Sequence, residues 1–162
     1  MQTHTVFGSL TDYTKGSIEL VSGEARHYVF SNIFEVAARS KPYERVVVAK
    51  NMEYVQEAMR AEGVSPWFAC GHDEFALCMD GEITVDFIKL KGPPDAGKDG
   101  AVLAGEPPDG RRMGYVKLKR GHQVLLEGGN AYCFSASRTG VLLQQTLLGE
   151  LSVQKWREIC FT

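Results

Sequence analysis

The 162-residue sequence predicts a mainly β protein of the sandwich or barrel type, preceded by an N-terminal extension that mixes helix and strand. The chain after Pro66 consists of six short strand-forming runs separated by Gly, Asp and Ser. The length suits a single domain with its own hydrophobic core. We therefore expect an extension over residues 1–64 that packs on a barrel over residues 65–162, within one structural domain overall.

Composition and charge exclude several classes of protein. Hydrophobic residues make up 44% of the chain and charged residues 23%, the balance of an ordinary soluble globular protein. A formal net charge of −2 argues against nucleic-acid binding, which needs a concentrated basic face. No apolar run is long enough to span a membrane, and the N-terminus lacks the pattern of a signal peptide. The four cysteines form no CxxC pair, so we expect free thiols and a cytoplasmic location.

The extension begins with shorter elements. Residues 17–22 are predicted to form a strand, and residues 31–39 a short helix capped by Ser31 or Asn32. Residues 44–50 form a β-branched run that favours a second strand.

Residues 51–63 are predicted to form the longest helix. Asn51 is placed to cap it, and Met52, Val55 and Met59 would share one apolar face. A glycine at the end of the run is a typical helix stop.

The barrel region is predicted to contain strands with one long interruption. Its strand-forming runs are 67–81, 82–90, 113–121, 122–129, 131–140 and 141–149. Residues 92–112, which are rich in proline and glycine, are predicted to form a long loop used for function or contact, or a mobile one. The basic cluster at 111–122 alternates polar and apolar residues, which favours a strand with one solvent-exposed face.

Part of a metal-binding pattern stands at the start of the barrel. Small double-stranded β-helix (jelly-roll) barrels of the cupin type hold a metal through G-x5-H-x-H-x3/4-E-x6-G and a second block, G-x5-P-x-G-x2-H-x3-N. Residues two apart on a strand share a face, so these ligands converge inside the barrel, where imidazole and carboxylate suit Fe(II). Here Glu74 is followed after six residues by Gly81, but the histidine positions fall on Phe68 and Cys70. The four-residue spacing provides no histidine either.

The second block is degenerate as well. At 125–136 its proline position is Glu127, its histidine position is Tyr132 and its asparagine position is Ala136. Three of the four expected ligands are therefore absent, and we predict that the barrel binds no metal. The degenerate metal-site positions are Phe68, Cys70, Glu74 and Tyr132.

A displaced metal site is the alternative. His72 lies two residues before Glu74 and would share its face on a regular strand, so a site of His72, Glu74 and His122 is conceivable. In the simpler interpretation, residues 71–74 are a polar bend that opens the Glu74 strand, and His72 is bonded to a neighbour. A catalytic metal needs three protein ligands, and only two are evident in this segment.

The chain resembles the small subunit of a two-component hydroquinone 1,2-dioxygenase of the cupin superfamily. The resemblance is carried by residues 27–55, 66–83, 107–126 and 141–150. It implies an α2β2 assembly with a larger cupin subunit that carries Fe(II) on two histidines and a glutamate. Such enzymes cleave hydroquinone with O2 to 4-hydroxymuconic semialdehyde in the breakdown of aromatic compounds such as p-nitrophenol. The resemblance implies no catalytic residue and no bound cofactor in the present chain.

Two aromatic residues are candidates for contact with substrate or with the larger subunit. Trp67 would face outward if Glu74 faces inward, and it is interpreted either as a core or interface anchor or as a wall of the partner's substrate pocket. Phe75 is the second candidate. A metal-free barrel that binds a small molecule, with Trp67, Phe75 and Tyr132 as its lining, is a further hypothesis.

Overall fold

The described part of the chain comprises residues 8–14, 16, 19, 21–23, 31–94 and 97–159 of a computed structural model. Within these residues there are two short helices and ten strands, which confirms the mainly β prediction. The helices are α1 (Ile33–Arg39) and α2 (Trp156–Ile159). The strands are β1 (Arg45–Asn51), β2 (Tyr54–Val64), β3 (Phe68–Cys70), β4 (Glu74–Asp80), β5 (Glu82–Leu90), β6 (Ala101–Leu103), β7 (Gly110–Lys119), β8 (Gln123–Leu126), β9 (Asn130–Leu147) and β10 (Ser152–Val153).

All of these strands belong to one curled sheet organised around β9. The first half of β9 lies between β3 and β5, and its second half lies between β2 and β4. Neighbouring strands are antiparallel, except that β10 runs parallel to β1. One long strand thus joins both walls of a half-barrel.

The inner face of the sheet carries a continuous hydrophobic core. Alternate residues of each strand point into it, because successive side chains face opposite sides. The Tyr132 ring lies 5.9 Å from that of Phe68 and 5.4 Å from that of Phe134, measured between centroids. Further buried members include Met59, Ala61, Ala76, Cys78, Ile83, Val85, Leu118, Leu126 and Leu142.

The structure explains why a glycine, Gly81, ends the first block of the metal-binding pattern. Gly81 forms the turn between β4 and β5 with a φ of 82°, in the left-handed region that favours glycine. A Cβ atom at this position would also lie only 3.0 Å from the Cα of Gly140. The spacing from Glu74 to Gly81 therefore reports the length of β4 and is needed whether or not the barrel holds a metal.

Helix α1 and strand β1 confirm the predictions over 31–39 and 44–50. Asn32 is the N-cap of α1, and its side-chain oxygen accepts from two backbone N–H groups of the first turn at 3.0 and 3.3 Å. The helix packs Val36 against the outer face of β1 and β2. Three residues of the strand predicted at 17–22 lie outside the described residues, and the other three, at 19, 21 and 22, are not in a strand.

The predicted helix over 51–63 is wrong, because these residues form a hairpin turn and then β2. Asn51 is the last residue of β1, and Met52, which is 85% exposed, occupies the turn with a φ of 57°. Val55 and Met59 point into the barrel at alternate positions of a strand. Hydrogen bonding to β1 on one side and to β9 on the other overrides a composition that favours helix.

The structure differs from two further predictions. The runs 131–140 and 141–149, predicted as two strands, are the single strand β9. The segment 92–112 contains β6, which pairs with β3, and Gly100 approaches β9 so closely that an added Cβ would lie 2.6 Å from the Leu147 carbonyl oxygen. The described part of this segment is therefore built into the fold.

The predicted boundary at 64/65 does not separate two sheets. Strands β1 and β2 belong to the sheet of the barrel, and α1 packs on its outer face. None of the helices within the described ranges is long and apolar enough to cross a membrane.

Candidate functional site

The four degenerate metal-site residues lie together inside the barrel. Strand β3 places Phe68 directly opposite Tyr132 of β9, and β4 begins with Glu74. Phe68, Cys70, Glu74 and Tyr132 are at most 3% exposed. The structure thus brings to one place the positions at which the sequence pattern has ligands.

Hydrogen bonds between side chains replace ligand bonds at this place. The Tyr132 hydroxyl donates to Glu74 Oε2 at 2.5 Å, and Gln144 Nε2 donates to the same hydroxyl at 3.1 Å. Tyr132 therefore combines a packed ring with a bonded hydroxyl, as buried polar groups require.

Arg45 supplies a positive charge next to this bond. Its Nε atom donates to Glu57 Oε2 at 2.8 Å, and one of its terminal nitrogens lies 3.5 Å from Glu74 Oε1. The guanidinium carbon also lies 5.2 Å from the centre of the Phe68 ring, within cation–π range. Arg45, Glu57 and Glu74 are at most 2% exposed, so the guanidinium is an internal cation between two buried carboxylates.

Burial determines how the groups of this cluster ionise. It raises the pKa of Tyr132 well above the ordinary tyrosine value, and the Glu74 carboxylate raises it further, so the hydroxyl stays a donor. Burial also raises the pKa of the Cys70 thiol to about 11. For Arg45, burial alone would lower the pKa, but the carboxylates of Glu57 and Glu74 raise it, and the net shift is upward, so the guanidinium remains charged.

His72 lies beside this cluster in the predicted polar bend. Its Nδ1 atom is 3.1 Å from Cys70 Sγ, and its Nε2 atom is 3.3 Å from Thr146 Oγ1, so it is bonded to neighbours as the simpler interpretation required. Cys70, His72 and Glu74 each offer one ligand atom, and these atoms lie within 4.8 Å of one another.

His122 lies elsewhere. It is exposed in the turn between β7 and β8, where its Nδ1 atom accepts from the Lys119 backbone N–H at 3.2 Å and its carbonyl accepts from Cys78. Cys78 is four residues along β4 from Glu74, about 13 Å at the rise of a strand. The structure does not bring His72, Glu74 and His122 together.

The residues of the cluster do not fit Fe(II). Non-haem iron of this type takes two imidazoles and a carboxylate with open positions. Here both Glu74 oxygens already accept hydrogen bonds, one of them from a guanidinium that would repel a metal. The remaining donors are a thiol, a phenol whose pKa is raised, and one half-buried imidazole.

Neither of the two aromatic contact candidates belongs to the hydrophobic core of the barrel. Trp67 precedes β3 and is half-buried, and its carbonyl accepts from the Ala104 N–H at 2.9 Å. Among the described residues, its indole N–H has no hydrogen-bond partner. Phe75 is 43% exposed on the outer face of β4, opposite Leu125. Neither lines the interior beside Tyr132.

Sequence reasoning missed three members of the interior cluster. Glu57 lies in the segment predicted as a helix, Gln144 stands inside an apolar run, and Arg45 is the second residue of a predicted strand. A charged residue at the beginning of a β-branched strand was the available signal for Arg45, because burying it requires a carboxylate from another strand.

No protein-family model and no curated protein matches the sequence. Among solved structures, the chain is 61% identical, with a TM-score of 0.94, to a chain of hydroquinone 1,2-dioxygenase PnpCD in complex with Cd2+ and 4-hydroxybenzonitrile. That match covers 99% of this chain and 98% of the other. A chain of hydroquinone 1,2-dioxygenase from Sphingomonas sp. TTNP3 with 4-hydroxybenzoate bound is 52% identical, with a TM-score of 0.94 and 99% of each chain covered.

A second kind of chain matches more weakly. A chain of PnpCD in complex with Fe3+ shares 15% identity and a TM-score of 0.60, over 84% of this chain but only 38% of that chain. It is therefore a longer polypeptide that includes a domain of the same fold. The full-length matches at 61% and 52% identity establish that the chain belongs to the hydroquinone 1,2-dioxygenase family, and its length is that of the shorter of the two kinds of chain matched.

Proposed function

We propose that this chain is the non-metal-binding small subunit of a hydroquinone 1,2-dioxygenase and is inactive alone. The larger cupin subunit would carry Fe(II) on two histidines and a glutamate, and an α2β2 complex would convert hydroquinone and O2 to 4-hydroxymuconic semialdehyde. The observation that carries this proposal is the interior cluster. Arg45 and Tyr132 both bond to Glu74 at the place where the cupin pattern has its metal ligands.

The proposal assigns a supporting role to the barrel. The iron supplies the activation of O2 when it is bound by the larger subunit. In this chain, the bonds among Arg45, Glu57, Glu74 and Tyr132 tie β1, β2, β4 and β9 together. A barrel held in this way presents a rigid outer surface to its partner, and rigid elements position functional side chains better than loops do.

Trp67 and Phe75 are the residues of this chain that we propose contact the larger subunit or its substrate. Both are aromatic and partly or largely exposed, the type of residue enriched at binding hot spots. The Trp67 indole N–H, which has no partner within the described residues, is available to a phenol hydroxyl or to a partner side chain. We further infer a cytoplasmic location, in keeping with the free thiols of Cys70, Cys78 and Cys133.

Reconstitution tests the proposed function. The chain and the longer chain of PnpCD, whose short chain is 61% identical, are purified separately and assayed with hydroquinone under air, alone and mixed. We expect ring cleavage only in the mixture, together with a complex on gel filtration. Turnover by this chain alone at an enzyme-like rate would contradict the proposal.

A further inference from the structure

Strand β7 is an edge of the sheet. Over its ten residues it is hydrogen-bonded to β5 along one side, and no other described strand pairs with it. A long strand with one free side presents unpaired backbone groups, which proteins ordinarily shorten, cover or pair.

The side chains of β7 are exposed on both faces. Met113 is 51% exposed, Tyr115 57% and Val116 38%. Val116 lies opposite Val85 and in the inward-facing row that includes buried Leu118, yet it remains accessible because no described strand covers that side of β7. Together these three side chains line the free edge of β7 with an apolar patch that spans both faces of the strand, and exposed apolar surface of this kind marks an interaction site.

The charge on this strand has one sign. Arg111, Arg112, Lys117 and Lys119 lie on β7, and the strand contains no acidic residue, although the whole chain has a net charge of −2. Arg112 and Lys119 face carboxylates of β5 at 3.5 and 3.8 Å. Within the described part of the chain, Arg111 and Lys117 have no ion-pair partner.

The apolar patch and the positive charge of β7 indicate what kind of partner would bind there. A second copy of this chain would place one basic strand beside another, and like charges placed opposite each other are destabilising. An apolar segment flanked by acidic side chains would complement both the patch and its charges. Nucleic acid does not suit a patch in which β5 carboxylates stand next to the basic groups and apolar residues occupy the centre.

We propose that the free side of β7, centred on Met113, Tyr115 and Val116, docks an acidic segment of the larger dioxygenase subunit. This inference rests on the proposed function, since it takes the larger subunit as the partner. It adds to that function the surface that binds and the charge of the segment it binds.

The test measures the affinity of this chain for the longer chain of PnpCD by biolayer interferometry at low and moderate salt. The Arg111→Glu/Lys117→Glu variant reverses the charge of the two basic side chains that have no ion-pair partner among the described residues. The Met113→Ser/Tyr115→Ser variant removes two of the three apolar side chains of the patch. Lys50→Glu/Arg138→Glu is the matched control, because both residues are exposed and have no ion-pair partner among the described residues. Thermal unfolding confirms that each variant folds.

We expect both β7 variants to raise Kd at least tenfold and the control to stay within threefold of wild type. We also expect wild-type affinity to fall with salt, and the Arg111→Glu/Lys117→Glu variant to lose that dependence. If the β7 variants bind the longer chain as tightly as wild type does, the proposed docking surface is wrong but the proposed function stands. If the wild-type chain does not bind the longer chain at all, the proposed function is contradicted as well. Self-association of this chain that disappears in the β7 variants would assign the surface to a second copy and contradict the proposal.

Discussion

The hydroxyl of Tyr132 donates a 2.5 Å hydrogen bond to Glu74, and these are the two positions at which the cupin pattern has a histidine and a glutamate bound to one metal ion. Residues that would both contact an ion are bonded to each other. The Arg45 guanidinium, 3.5 Å from the other Glu74 oxygen, supplies the positive charge that a cation would bring. Two positions of the pattern thus carry hydrogen-bonded polar side chains with a positive charge beside them.

Removal of the Tyr132 hydroxyl tests this bond. Tyr132→Phe keeps the packed ring but leaves Glu74 Oε2 and Gln144 Nε2 without a partner in a buried place. We expect the free energy of unfolding in urea to fall by about 1–3 kcal/mol, the cost of an unsatisfied buried group. Tyr115→Phe, the same change at a 57% exposed residue, should stay within about 0.5 kcal/mol of wild type. Equal effects of the two substitutions would show that the buried bond contributes nothing.

Arg45→Met tests the internal cation. The variant leaves Glu57 and Glu74 buried without their guanidinium, and breaking a buried pair costs about 3–5 kcal/mol. Arg112→Met, which removes an exposed ion pair to Asp86, should cost no more than about 1 kcal/mol. Chemical denaturation of both variants measures the difference. If Arg45→Met unfolds at the same urea concentration as Arg112→Met, the cluster does not stabilise the barrel.

The buried thiols predict a loss of stability at alkaline pH. Burial raises the pKa of Cys70 and Cys78 from 9.0 to about 11, so between these values the unfolded chain releases thiol protons that the folded chain retains. Stability is then complete below pH 9 and falls as pH rises towards 11, by up to about 1.4 kcal/mol per pH unit for each group. Urea unfolding at pH 8, 9, 10 and 11 should give a shallower decline for Cys70→Ala/Cys78→Ala than for wild type. Parallel declines would mean that these thiols do not cause it.

Trp67→Phe separates two roles of one side chain. The substitution keeps most of the apolar volume and removes the indole N–H. If Trp67 reaches the partner's substrate pocket, the complex should form normally and lose about tenfold in kcat/KM, which is about 1.4 kcal/mol. If it is an interface anchor, assembly should weaken while the complex that remains keeps its activity. Trp156→Phe is the control, because among the described residues that indole bonds to nearby Gln154. Unchanged assembly and kinetics would remove Trp67 from the site.

The positions of several strands and turns were predictable from the sequence, because they depend on local signals. The turn at Gly81 and the strand that starts at Glu74 follow from a spacing within one short segment. The helix predicted over 51–63 failed because β2 is determined by pairing with β1 and β9, which no local pattern reveals. Three members of the interior cluster were out of reach for the same reason, since Arg45, Glu57 and Gln144 meet only after three strands have paired.

The location of iron tests the central claim most directly. This chain, the longer chain of PnpCD and their complex are each loaded anaerobically with Fe(II), passed through a desalting column and measured for iron by elemental analysis. We predict no stoichiometric iron in this chain, and an iron content of the complex equal to that of the longer chain alone. One tightly held iron per copy of this chain, lost on Glu74→Ala, would contradict the account.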